Sequence, residues 1–497
     1  MKKNLIVSVL KGMTLFVLTI LLCRFTKGFG AAAIVGFAFV MALMGKQGWA
    51  LVGYIFFPFM VISNPFLIPK DGIVPYVMRL GPVIVTGALL ISAAARTGHH
   101  KIPLGGIWLY LLAAGVSSIG GYYPEISYLK IVNCAILFIG LVVGFRNIDK
   151  RPQDVELLRQ FLLVMTSFVI WGSIFMLIAM PGAAYVTSLH GAIEEEGMEV
   201  ANQMARQMEG LAMFAGVTNQ SQCLAVVLPC SIAWLVCDML VIEKKVTKYH
   251  ALTILAGLPL IYMTRSRTSL LVSLVAIVII YGYCIKNVGL RPSVKARLKG
   301  AMYFGLFLVM VAAGVAECRN HAITQWLRKQ DTMGEKSMTE ALTSSRMGQF
   351  ESAMYDFKSN PLLGTGFQVT YDMKYQFKGH KGLILSASVE KGFLPLMILG
   401  ETGIIGAIAF LIFLASFYGA CNKRGLYCTA SLFTVLLATN IGEATFFSPG
   451  GGGGILWVMC LGGGFVLDTV VLYRHRLERI AQEQQFAMMQ QQMMAGG

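Results

Sequence analysis

SSRMGQFESAMYDFKSNPLLGTG, residues 344–366, is the polar centre of the longest non-hydrophobic segment in an otherwise apolar chain. It holds Arg346, then a stretch patterned as an amphipathic helix, then a break at Asn360-Pro361 and the sequence Leu-Leu-Gly-Thr-Gly. Pro361 pushes Asn360 out of the helical region and so ends the helix. Gly364 and Gly366 admit backbone or ligand where a Cβ would clash. A long segment with its own structure between membrane spans is where an enzyme places chemistry that hydrocarbon forbids. An ordered surface loop is the plainer reading of the same residues.

Around this segment the chain is built for a bilayer. Of 497 residues 56% are hydrophobic and 13% charged, about half the charge of an ordinary soluble protein. Apolar runs centre near residues 5–22, 29–45, 48–68, 76–95, 104–120, 126–145, 160–180, 211–241, 250–264, 268–285, 301–317, 393–419, 426–446 and 455–473. These predict an all-α polytopic membrane protein of about fourteen transmembrane helices, with a helical cap from the long loop. Four regions follow: 1–317 as the first part of the bundle, with a short outer segment 181–210; 318–392 as the long outer loop; 393–473 as the rest of the bundle; and 474–497 as a tail. The run at 5–22 is followed by Cys23-Arg24-Phe25 rather than by small residues, so it is read as an uncleaved first span.

The formal net charge of +16 suggests nucleic acid in a soluble protein, but here topology accounts for most of it. Lys46, Arg146, Lys150, Arg151, Lys244, Lys245, Lys248, Lys423, Arg424 and Arg474 all fall in short segments on one side of the alternating spans. That side is cytoplasmic by the positive-inside rule, and both termini share it. No nucleic-acid partner is expected. Surplus cations on the outer side would suit an anionic ligand or lipid headgroups. The ten cysteines show no metal spacing, so neither disulfides nor a metal is expected.

Several polar residues stand where hydrocarbon makes them costly. Met263 to Ser269 reads MTRSRTS, with Arg265 and Arg267 in a tight outer turn. Arginine forks match phosphate oxygens bidentately; snorkelling at the interface is the competing account. Arg206 and Arg346 are expected on the same side, and four outward arginines would cradle a pyrophosphate. Glu390, at the outer boundary, is the candidate base, where partial desolvation would raise its pKa. An interfacial Glu390–Lys391 pair is the alternative. His380 is the second candidate base. Glu401, deeper in the apolar run that starts at 393, is expected to orient an arginine. Lys130 and Arg79 are embedded charges without evident sequence partners. Asn440 and Glu443 read as packing glue. A helix is expected over Met198–Met213, and Gly450–Gly454 reads as a flexible outer turn.

TRSRTSLLVSL at 264–274, SSRMGQFESAMYDFKSNPLLGTGF at 344–367 and FLPLMILGETGIIGAIAF at 393–410 together resemble the O-antigen ligase and O-antigen polymerase superfamily. The likeness covers about residues 205–420. In that family an arginine-bearing turn opens a span, and a long periplasmic loop carries an arginine, a helix and an NPL-x-G-x-G element. A following span continues with E-x-G-x-x-G. GVTNQSQCLAVV at 216–227 is a looser match that lacks the family's proline. Ligases of the family carry His-Asn where this chain has Glu390-Lys391, which tilts the resemblance towards polymerases.

The resemblance implies a glycosyltransferase of the bacterial inner membrane that uses glycan linked to undecaprenyl pyrophosphate. Polymerisation of surface-polysaccharide repeat units on the periplasmic face is the leading expectation, without cofactor or metal. Transfer of finished glycan to lipid A core or protein is the alternative, and a polysaccharide flippase is the reading from a different class. Arg265 and Arg267 would hold the pyrophosphate, with Arg206 and Arg346 closing the site. Glu390 would be the base, and Gly364 and Gly366 would shape the loop over the glycan. Its partners would be the lipid-linked glycan, the bilayer and other polysaccharide-assembly membrane proteins.

Overall fold

The computed structural model describes residues 5–26, 28–70, 73–94, 102–186, 213–288, 350–371, 392–442 and 444–495, with a few residues between 292 and 300. Each apolar run of the sequence other than 301–317, which lies outside these residues, forms a helix. Among the described residues, seven helices are long and apolar enough to cross a bilayer: Leu5–Thr26, Val74–Ala93, Pro124–Lys150, Pro152–Ala179, Ser221–Ile242, Leu394–Arg424 and Gly452–Gln492. Five more are apolar but shorter: Gly28–Leu43, Gln47–Ile62, Ile107–Ile119, Arg267–Ile280 and Tyr427–Thr439. Local chemistry sets several boundaries. Pro124, Pro152 and Pro395 stand in the first turns of their helices, where an absent amide costs nothing. Thr247 caps the Lys248–Met263 helix by accepting from the His250 amide.

Burial orders these helices within the bundle. The apolar window of Ser221–Ile242 is 100% buried, against 17% for Leu5–Thr26. The former is therefore the axis and the latter a peripheral helix with lipid-compatible side chains outward. Around the axis lies an aromatic core, in which Trp457 meets Phe138, Phe433 and Phe446 edge-on or tilted at 4.7–5.6 Å.

Inter-helix bonds sort the loops into two ends. At one end, Asn64 N–H reaches the Val217 carbonyl at 2.8 Å, Tyr122 N–H reaches Thr365 at 2.9 Å, and the Gln368 amide reaches Phe447. At the other, Arg151 reaches Gly45, Arg474 reaches Ile242, and Asp468 accepts from the Cys428 and Thr429 amides. The basic segments around 146–151, 244–248, 423–424 and 474 all gather at this second end.

Local readings needed three corrections. Tyr185–Val186 and Met213–Phe214 pair as a two-residue antiparallel ribbon, so Met213 is in a strand rather than at the end of a helix. The span expected from 211 begins at Ser221. Gly452–Gly454 are not a flexible turn: they form the buried first turn of a helix. A Cβ on Gly453 would lie 2.0 Å from the Thr445 carbonyl, and one on Gly454 2.4 Å from that of Pro449. The glycines are there because backbone packs on backbone.

Candidate functional site

The helix over 350–359 ends where Pro361 requires. Asn360 then folds the next turn onto itself: its carbonyl accepts from the Gly364 amide at 2.8 Å and its side-chain oxygen from the Leu363 amide at 3.3 Å. Opposite this turn, the Leu394–Arg424 helix is broken at Gly403, whose φ of 61° and ψ of −164° are not helical. A break inside a helix leaves carbonyls before it and amides after it without intrahelical partners. In hydrocarbon such groups must be satisfied by protein.

The Pro361–Gly366 backbone satisfies them on both sides of the break. Ile404 N–H donates to the Pro361 carbonyl at 2.9 Å and Ile405 N–H to Leu362 at 3.3 Å. In return Thr365 N–H donates to the Gly400 carbonyl and Gly366 N–H to the Glu401 carbonyl, each at 3.0 Å. The two glycine-bearing motifs are thus complementary halves of one backbone interface. Gly364 sits at φ +75°, and a Cβ there would lie 2.4 Å from the Glu401 carbonyl carbon. Gly403 faces Leu362 in the same way, at 2.3 Å from its carbonyl oxygen.

A third element, from far earlier in the chain, closes this arrangement. Ser117 Oγ donates to the Glu401 carbonyl at 2.6 Å, and Tyr122 OH to Asp356 Oδ1 at 3.2 Å. Lys130, 2% exposed, donates to the Gln368 carbonyl at 2.7 Å. Gln368 itself is held at φ +53°, with its side-chain amide on the Phe447 carbonyl. Burial first, and then the neighbouring Asp356 carboxylate, raise the pKa of the Tyr122 hydroxyl. Glu401 is fully buried.

The arginine turn adjoins the start of the broken helix. Thr264 Oγ1 accepts from the Ser266 amide, and Ser266 and Ser269 hydroxyls bond at 2.7 Å. These bonds hold Arg265 in a left-handed conformation at φ +56° and start a helix at Arg267. A Cβ on Gly442 would touch Thr268 Cγ2 at 2.5 Å, and Asn440, two residues before Gly442, accepts from the Leu394 amide at 3.2 Å. The turn with Arg265 and Arg267 therefore lies at the same end of the bundle as the docked loop.

The structure thus brings Gly364, Gly366 and Glu401 together and places Arg265 and Arg267 at the same end. Arg206, Arg346, His380 and Glu390 lie outside the described residues, as does Glu443. Sequence reasoning missed Ser117, Tyr122, Asp356 and Gln368. Only Lys130 carried a signal, as a charge embedded in an apolar run.

Residues 252–411 match the family model described as O-antigen ligase. All three motifs, 264–274, 344–367 and 393–410, fall inside that match, whereas the looser likeness at 216–227 lies before it. No curated protein matches the chain. The chain is thus an all-α multi-pass membrane protein that carries, over residues 252–411, a match to the O-antigen ligase domain, whose family members are glycosyl-transferring enzymes of polysaccharide assembly.

Proposed function

We propose that the protein is a glycosyltransferase that polymerises undecaprenyl-pyrophosphate-linked oligosaccharide repeat units at the periplasmic face of a bacterial inner membrane. The observation that carries this reading is the docking of Pro361–Gly366 into the break at Gly403, at the end of the bundle that holds Arg265 and Arg267. A broken helix at membrane depth is stable only where other backbone replaces its lost bonds. Such a device fixes a loop rigidly beside the outer rim, where a lipid-linked substrate presents its glycan. The basic segments at the opposite end support assigning this end to the periplasm, with both termini cytoplasmic.

In the proposed reaction a hydroxyl oxygen of the acceptor glycan attacks the anomeric carbon of the donor. A new glycosidic bond forms, and the bond from that carbon to the pyrophosphate oxygen breaks. The electron pair leaves with undecaprenyl pyrophosphate, and the hydroxyl proton passes to Glu390, or to His380. Arg265 and Arg267 hold the departing diphosphate, and Arg206 and Arg346 close around it. Preorganised guanidinium groups stabilise charge where it develops. The chain's other partners in this reading are polysaccharide-assembly proteins of the same membrane.

The description of the matched family as O-antigen ligase favours a second reading, transfer of finished glycan to lipid A core or protein. One experiment separates the readings. Purified protein receives a lipid-linked repeat unit, with and without a ligase acceptor, and no nucleotide sugar; products are resolved on a gel. A ladder supports the polymerase. A single shifted acceptor band supports the ligase. No product with either overturns both and returns the flippase reading.

A further inference from the structure

A cavity of about 600 Å³ opens at the basic end of the bundle, far from the docked loop. The start of the Leu5–Thr26 helix, the start of Pro152–Ala179 and the 243–249 segment enclose it. One wall is apolar, from Leu5, Val9, Leu163 and Val164. Leu10, on the same peripheral helix, is 61% exposed, so this wall continues into a face suited to acyl chains.

The other wall carries charges of both signs. Arg159 lies deepest, but its guanidinium is committed: it donates to Asp238 at 2.6 and 3.0 Å and to Glu243 Oε1 at 2.9 Å. Asp238, fully buried, neutralises it and is itself held by His250 at 3.0 Å. What remains to face an occupant is balanced. Glu156 and Glu243 each use Oε1 towards Arg159, and among the described residues their Oε2 atoms make no hydrogen bond. Lys245 and Lys248 also line the cavity and, among the described residues, are in no ion pair.

We infer that this cavity binds a zwitterionic aminophospholipid of the leaflet at the basic end, its phosphate on Lys245 and Lys248 and its primary ammonium on Glu156 and Glu243. A purely anionic headgroup would meet two carboxylates at no gain. A quaternary ammonium would present no N–H to them. Each of these contacts is charge-assisted, and such bonds exceed neutral ones.

The test uses the full-length protein purified in detergent, exchanged with phosphatidylethanolamine, phosphatidylcholine or phosphatidylglycerol of equal acyl chains, and analysed by native mass spectrometry. Phosphatidylethanolamine is expected to be retained about tenfold better than either other lipid, the effect of one charge-assisted bond. The exposed pair Lys245→Ala and Lys248→Ala, and separately Glu156→Gln, should each remove most of that preference without altering thermal unfolding. Equal retention of all three lipids, stronger retention of phosphatidylglycerol, no retained lipid, or a preference unmoved by the substitutions would each overturn the assignment.

Discussion

Gly364 and Glu401 meet backbone to backbone: a methyl group on Gly364 would stand 2.4 Å from the carbonyl carbon of Glu401. Because the same residue sits at φ +75°, Gly364→Ala combines a left-handed strain of roughly 1–3 kcal/mol with displacement of the docked loop. Thermal unfolding in detergent should show a large loss of stability. Gly36, in the Gly28–Leu43 helix, has no heavy atom within 4 Å of its would-be Cβ. Gly36→Ala should therefore stabilise by about 0.5–1 kcal/mol. Equal effects of the two changes would contradict the docking.

Lys130 anchors the loop through the Gln368 carbonyl. Lys130→Met keeps the side chain's length and apolar stem but leaves that carbonyl short of a buried donor, a cost of about 1–3 kcal/mol. Lys11→Met, on an exposed face of the first helix, should be near neutral. Melting temperatures of the two variants, compared in the same detergent, provide the check.

Arg265 holds a backbone conformation that favours glycine, at φ +56°. Arg265→Gly and Arg265→Ala both remove the guanidinium, but only the alanine keeps the strain, a difference of about 1 kcal/mol. The glycine variant should be the more stable of the two, and both should make no polymer in the lipid-linked repeat-unit reaction. Full activity in either one would remove Arg265 from the proposed pyrophosphate site.

Lys70, in the segment that follows Gln47–Ile62, donates to the carbonyls of Met60 and Val61 and to Ser63 Oγ. Burial pushes its ammonium pKa down to about 7, with Cys223 opposing the shift. Between pH 7 and its unfolded pKa the unfolded chain binds more protons than the folded one, so stability rises with pH. The contribution is complete above the unfolded pKa and disappears as pH falls through about 7. Unfolding measured from pH 7 to pH 10 should show this slope in the wild type, and Lys70→Met should flatten it.

The helices were legible because apolar runs mark them, and among the described residues seven of those helices are long enough to cross a bilayer. Gly364, Gly366 and Glu401 were legible because glycines and a carboxylate are conspicuous inside such a chain. The flexible turn expected at Gly450–Gly454 failed for an instructive reason. Glycine marks either a free backbone or one packed against another backbone, and only Thr445 and Pro449, brought close by the fold, distinguish the two. Ser117, Tyr122 and Gln368 left no local trace at all, since a hydroxyl or an amide reveals its role only through a partner distant in sequence.

By itself the sequence determined an all-helical membrane bundle, its charge-sorted ends and the motifs that would matter. Only the tertiary structure decided that Pro361–Gly366 fills the break at Gly403, with Lys130 and Ser117 from the first third of the chain securing it. The physical reason is that hydrophobic run length is a property of neighbouring residues, whereas satisfying a broken helix is a property of whichever backbone arrives there.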